Sequence, residues 1–293
     1  MPSLLSAGEA FQDLVFVGLP RLPAPGEEIR TETFSETVGG GAVITAVAAA
    51  RLGVNVTLAS GLSEPAVRRL RAERVRVTNL RKAGERHAVT VALSTGGERA
   101  FVTFDGVNMR LASRLGPVLR ATRASHVHLA LYPRETAAWA RRVAALRRRG
   151  ITSSWDFGWN DVLAQDPGLT ALIDALDVVF VNASEAALYA GEPRLEAALP
   201  FWRARRPLVV IKRGAQGCLA LGPHGKLEAP APTVKVVDTT GAGDAFNGGF
   251  LAAWLRGRPL RQGLEQGNRM GAASTRKVGG LEALPPRKRG RRS

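Results

Sequence analysis

Val236-Val-Asp-Thr-Thr-Gly-Ala-Gly-Asp-Ala-Phe-Asn-Gly-Gly-Phe250 runs from β-branched residues through a small-residue turn into an apolar, helix-periodic segment. That order predicts a strand feeding a helix. Gly241 and Gly243 permit backbone conformations and close approaches that a side chain would block. The first N–H groups of a helix lack internal partners and sit at the positive end of its dipole. A phosphate can therefore be held there without a basic side chain. A carboxylate in the same place, Asp244, would repel that anion unless it had its own task. The task that fits is to take a proton from an incoming hydroxyl. The plainer alternative is a tight turn in which Asp244 is a helix N-terminal carboxylate stabilised by the dipole.

Outward from this segment, short apolar runs alternate with amphipathic Ala/Leu/Arg-rich stretches, which predicts a layered α/β fold with a largely parallel sheet. Strands are expected at His126 to Leu131, Ile151 to Asp156, Val178 to Val181, Leu208 to Ile211, Cys218 to Leu221 and Val234 to Val237. Helices are expected from Glu135 to Arg149, about Gly243 to Trp254 and about Leu260 to Thr275. The N-terminal third differs, because Leu14 to Leu19, Ile29 to Phe34, Ala88 to Ser94 and Ala100 to Phe104 read as strands of a small separate sheet. Thr95-Gly-Gly-Glu-Arg99 is a hairpin signal between the last two.

A chain of 293 residues, 45% apolar, is long enough to bury a full core. No apolar run approaches the ~18 residues of a membrane helix, and no secretory pattern opens the sequence, so the expected location is cytoplasmic with no membrane partner. Cys218 lacks a second thiol for a disulfide and reads as a small core residue. The net charge of +16 raises the question of nucleic acid. The excess is mostly arginine spread along the chain, bunched only at Arg147-Arg-Arg149 and Arg287-Lys-Arg-Gly-Arg-Arg292, which argues against a dedicated nucleic-acid site. Residues 285–293 form a basic tail with nothing apolar to pack, expected to be disordered.

The string Asp238-Thr-Thr-Gly-Ala-Gly-Asp-x-Phe-x-Gly-Gly-Phe250 resembles the signature of the ribokinase/PfkB-type carbohydrate kinase family. Val38-Gly-Gly-Gly41 running into Ala46-Val-Ala-Ala-Ala-Arg-Leu-Gly53 resembles that family's N-terminal glycine pair and small-residue helix. Gly8-Glu-Ala-Phe-Gln-Asp13 is similar to its first strand, whose terminal aspartate binds substrate hydroxyls. Asn182-Ala-Ser-Glu185 resembles an Asn-x-x-Glu element that organises magnesium and its waters, although taken alone it reads equally as a helix start. Val210-Ile-Lys-Arg-Gly-Ala-Gln-Gly217 and Gly267-Asn268 resemble the strand, turn and helix that border ATP.

The resemblance implies a three-layer ribokinase-like α/β fold over 1–284, with a mostly parallel central sheet flanked by helices and a small β-sheet lid drawn from residues 14–37 and 86–107. It implies phosphorylation of a hydroxyl on a monosaccharide or polyol, with ATP and Mg2+ and possible K+ dependence. Asp244 would be the base, and Gly241, Ala242 and Gly243 the anion hole. Asp13, Gly40, Gly41 and Asn108 would bind substrate. Lys212, Gly214, Gly217 and Asn268 would bind nucleotide, Asn182 and Glu185 would serve the metal, and Asp238 and Thr240 would border a monovalent cation. The lid would pair copies into a homodimer. The departures fall on the substrate side: Ile44 replaces the usual asparagine after the glycines, Gly61-Leu-Ser-Glu-Pro65 is shortened, and Asp156-Phe-Gly-Trp-Asn160 keeps only the aspartate of its stretch. The alternatives left open are a nucleoside kinase of the same superfamily, for which Ile44 would suit an apolar base, and a catalytically weak sugar-binding regulator.

Overall fold

The computed structural model describes residues 2–95, 99–223 and 225–287. In chain order its elements are β1 (Ser3–Gly8), β2 (Phe11–Leu19), β3 (Thr33–Gly39), α1 (Gly41–Arg51), β4 (Asn55–Ser60), α2 (Glu64–Ala72), β5 (Arg76–Asn79), β6 (Val89–Thr95), β7 (Arg99–Phe104), α3 (Leu111–Ala121), β8 (His126–Ala130) and α4 (Thr136–Arg148). They continue with β9 (Thr152–Asp156), α5 (Asp161–Ala164), α6 (Leu169–Ala175), β10 (Val178–Asn182), α7 (Ala183–Ala190), α8 (Leu195–Arg203), β11 (Leu208–Lys212), β12 (Cys218–Gly222), β13 (Gly225–Ala229), α9 (Ala242–Trp254) and α10 (Leu260–Ser274).

The large sheet has the order β13-β12-β11-β10-β9-β8-β1-β4-β5. Its run from β11 to β5 is parallel, and β12 and β13 close one edge as antiparallel strands. Such a sheet is covered on both faces, so its strands read as unbroken apolar runs. In β10, Val178 and Phe180 join the core under α1, α9 and α10, while Val179 and Val181 join the core under α4, α6 and α8. Helices α1 and α9 meet along small residues: a Cβ on Gly248 would lie 2.6 Å from both the Ala48 methyl and the Thr45 carbonyl. The alanine run of α1 is thus a contact surface.

The small sheet has the order β3-β2-β6-β7. Pairing is antiparallel at both outer edges and parallel between β2 and β6. Along β2, Asp13, Val15 and Val17 face inward over a cavity. Phe16 turns outward against Phe34, with Val102 and Phe104 also exposed. Among the described residues no helix is long and apolar enough to cross a membrane.

Three expectations need correction. The strand placed at Ile29 to Phe34 lies instead at Thr33–Gly39, because its ladder with β2 runs from Val17↔Thr33 to Phe11↔Gly39. The run Gly8 to Asp13 is no single strand: Gly8 ends β1 in the large sheet, and Asp13 is the third residue of β2 in the lid. Val234 to Val237 joins no sheet, and the N–H groups of Val237 and Asp238 donate instead to the carbonyl of Thr275 beyond α10. Residues 96–98 of the expected hairpin turn and 288–293 of the basic tail lie outside the described residues.

Candidate active site

Open parallel sheets bind ligands beyond the carboxyl ends of their strands. Here three neighbouring strands deliver Asp156, Asn182 and Lys212 to that edge, with Phe180 paired to Asp156 and Asn182 to Lys212. The start of α9 faces them. Gly241 caps the helix at φ 72°, a left-handed conformation suited to glycine, and its α-carbon abuts Ile44 too closely to carry a methyl. The Ala242 N–H turns back to the Thr239 carbonyl at 3.1 Å, so the donors left for an anion at this turn are those of Gly241, Gly243 and Asp244. This removes Ala242 from the expected anion hole.

Two cavities meet at this helix start. One, of about 730 Å³, lies under the lid and is lined by Asp13, Gly39, Gly40, Ile44, Thr90, Gly241 and Asp244 among others. The second, of about 550 Å³, is lined by Asn182, Glu185, Lys212, Gly214, Gly217, Gly243, Asp244 and Asn268, with Ala231 to Val234 along one wall. Asp244 lines both.

Burial pushes the Asp244 carboxyl up to about 7, reinforced by Asp156 and Glu185 and opposed by Lys212. Lys212 Nζ lies 2.6 Å from Asp156 Oδ2, which also accepts the Asn247 amide at 2.7 Å. Burial alone would raise Asp156, but Lys212 and these hydrogen bonds hold it below the usual carboxylate range. Burial likewise opposes the charge on Lys212, and Asp156, Glu185 and Asp244 overcome it. Behind the pair, His128 is fully buried and pushed down to about 4, hence neutral, with Nδ1 2.8 Å from Ser154 Oγ.

On the lid side, burial raises Asp13 to about 7. A Cβ on Gly39 would collide with the Asp13 carboxylate, and one on Gly41 would approach Asp244 Oδ1 to 2.9 Å. Gly40 takes φ 102°, with its α-carbon against the Glu9 carbonyl. The glycine triplet therefore lets Asp13 and Asp244 converge on one cavity. Asn108 is elsewhere: its amide donates to the Ala10 carbonyl at 3.2 Å and borders a separate cavity of about 150 Å³ with Glu9, Asp105 and Arg134. It does not line the lid-side cavity, although Ala10, which it holds, packs directly against Gly40.

Asn182 and Glu185 make a reciprocal capping box at the start of α7, each side chain accepting the other's N–H at 2.8 Å. The helix-start reading is thus realised at the cavity edge. Glu185 is raised by burial and by Asp156, against the opposing pull of Lys212. The Asn268 amide donates to the carbonyls of Ala229 and Pro230, both at 3.0 Å, and so fixes the wall that follows β13. Gly217, at φ 80°, packs against that same wall. Asp238 accepts the N–H groups of Thr240 at 2.6 Å and Gly279 at 3.0 Å, bracing the turn.

Fold and site together define a kinase of small-molecule hydroxyls. The chain belongs to the pfkB family of carbohydrate kinases, whose family model matches residues 1–287. It is 31% identical to an ATP-dependent ribose-1-phosphate kinase of Halopiger xanaduensis, covering 97% of this chain and 95% of that protein. Over 33% of this chain and 38% of the relative it is 42% identical to a cytidine kinase of Thermococcus kodakarensis. Its fold matches that of the Methanocaldococcus jannaschii nucleoside kinase with a TM-score of 0.80 at 20% identity, covering 97% and 95% of the two chains.

Proposed function

We propose that the chain transfers the γ-phosphoryl group of ATP to a hydroxyl of a sugar or sugar-bearing small molecule, with Asp244 as general base. The observation that carries this is the position of Asp244 on the wall shared by the two cavities. The lid-side cavity takes the acceptor and the other takes the nucleotide. Asp244 accepts the hydroxyl proton as the oxygen bonds to the γ-phosphorus and the bond from that phosphorus to ADP breaks. Open N–H groups at the helix start and Lys212 stabilise the charge on the transferring group. The Halopiger and Thermococcus relatives are named for ribose 1-phosphate and cytidine, both ribose compounds, and a ribose hydroxyl is the acceptor we favour.

Three carboxylates, Asp156, Glu185 and Asp244, share this edge with one ammonium, Lys212. That surplus of oxygen donors and negative charge fits a hard divalent cation such as magnesium, which would offset phosphate charge. Asn182 and Glu185 would hold it through water.

The test is ADP release from ATP with a panel of sugars and nucleosides. A wild-type protein that consumes ATP with none of them contradicts the proposal. Because the base must be ionised, kcat/KM should rise with pH through about 7 and fall roughly tenfold per unit below it. A flat profile from pH 5 to 9 would remove Asp244 from the role.

The exposed outer row of the lid, Phe34, Val102 and Phe104, is the surface that pairing of two copies would bury. Phe104→Glu should then shift the protein from dimer to monomer in light scattering, and a monomeric wild type would refute lid pairing.

A further inference from the structure

Lys212 reaches the start of α9 along Gly243. A Cβ on Gly243 would lie 3.0 Å from Nζ, 3.6 Å from Cε and 3.7 Å from Cδ, so the lysine stem runs over the bare glycine. An ammonium carries three N–H donors. Among the described residues this one has a single hydrogen-bond partner, Asp156 Oδ2 at 2.6 Å. Donors therefore remain for a ligand in the cavity that Lys212 lines.

A flexible four-carbon stem does not hold a point charge in place by itself. What aims this charge is the carboxylate bonded to it, and that carboxylate is aimed in turn. Asp156 is the last residue of β9, and its Oδ1 accepts the Gly158 N–H at a long 3.3 Å. The firmer contacts are on Oδ2, which takes Asn247 Nδ2 at 2.7 Å beside the ammonium. Asn247 lies on α9, three residues past Asp244, and is fully buried. The helix that carries the proposed base thus also grips the carboxylate that holds the cation.

As a core residue Asn247 is a poor choice. Its Oδ1 is buried without a hydrogen-bond partner, and turning the amide over would set that oxygen against Asp156. An unmade bond in the interior offsets what the made one contributes. Asn247 lines neither cavity, so its amide touches no ligand directly.

We propose that Asn247 is a positioning residue for phosphoryl transfer: by holding Asp156 Oδ2 from the α9 side, it fixes the Lys212 ammonium where the outer phosphates of ATP enter. This rests on the kinase reading above and extends it to a residue that acts through two others. Without the amide, the Asp156 carboxylate is free to turn about its own side-chain bonds and carries Lys212 away from the helix start.

The experiment titrates wild type, Asn247→Leu, Asp156→Asn and the double variant by calorimetry with AMP and with AMPPNP, a non-hydrolysable ATP analogue, both with magnesium. Asn247→Leu should weaken AMPPNP about tenfold and AMP by less than about twofold, because the loss falls on the outer phosphates. KM for ATP should rise by a similar factor, while KM for the acceptor and the melting temperature stay near the wild-type values. In the Asp156→Asn background the effect of Asn247→Leu on AMPPNP should vanish, since Asn247 acts through that carboxylate. Asn247→Ser, too short to reach Oδ2, should weaken AMPPNP to the same extent and carries the test if the leucine variant does not fold. Unchanged AMPPNP binding by the Asn247 variants overturns the inference and leaves the kinase reading intact. So does equal weakening of AMP and AMPPNP, which a general loosening of the core would give, or an effect undiminished by Asp156→Asn. Failure of wild type to bind AMPPNP overturns the kinase reading itself.

Discussion

Replacing Asp244 with asparagine should lower kcat by about 10²–10⁴-fold, the range set by loss of a positioned general base. The substitution keeps the shape of the side chain, so Gly41 and Lys212 retain their neighbour. What disappears is the proton acceptor between the cavities. Stability should move in the opposite direction. Burial raises the Asp244 carboxyl to about 7, above its unfolded value near 4, so the folded state binds the proton more tightly than the unfolded chain. Its contribution to stability is fully present below about pH 4 and is lost as pH rises through about 7. Asp244→Asn should therefore melt higher than wild type at pH 8, with the gain fading toward pH 4. Thermal melts at the two pH values, beside ADP release at saturating acceptor, check both halves. A variant that is slow because it is misfolded would show a lower melting temperature at pH 8 instead.

Lys212→Met should destabilise the fold by roughly 3–5 kcal/mol, because it leaves the buried Asp156 without its counterion. The ion pair is short, 2.6 Å, with only about a tenth of either side chain exposed. Its worth as a pair is smaller than the cost of breaking it, since both charges had to leave water. Lys212→Met combined with Asp156→Leu should accordingly recover much of the loss, and urea midpoints for the single and double variants measure this. Lys212 also opposes the rise of Asp244, so its removal should move the ascending limb of kcat/KM above pH 7. If the single variant unfolds at the wild-type midpoint, the pair is not buried as the structure has it.

The turn around Asp244 was legible because its chemistry is local: glycines, a helix start and a carboxylate within seven residues. The strands of the parallel sheet were legible for a related reason, since burial on both faces leaves runs such as Val178 to Val181 without polar interruption. Asp156 was noted only as the retained aspartate of a family stretch, with no role, and Asn247 was not singled out; Asp156 accepts from Lys212, and Asn247 donates to Asp156. Their meeting depends on β9 and β11 flanking β10, which no local pattern records. The one available signal was the position of Asp156 at the end of an apolar strand, where open α/β sheets collect their ligands. The lid misled sequence reading twice, at Ile29 to Phe34 and at Gly8 to Asp13, because pairing partners rather than side chains set where those strands begin. Val236 and Val237 looked like a strand through β-branching alone, and the Thr275 carbonyl instead takes the N–H groups of Val237 and Asp238. Asn108 was named with no motif behind it, and its side chain bonds Ala10 beside Gly40 while bordering a cavity of its own.

The chain leaves the large sheet for the lid twice, as β2–β3 between β1 and α1 and as β6–β7 between β5 and α3. Each excursion is tied back at its base, where the Glu9 N–H donates to Ala130 and that of Val107 to Arg86. On the function proposed here, residues that would choose the acceptor lie in these two excursions, and the proposed base lies in a third segment, Asp238 to Asp244. A lineage can rewrite the first without editing the second. One scaffold can thus be retailored to new acceptors by drift in lid side chains such as Val15, Ala92 and Phe101, while its reaction stays the same.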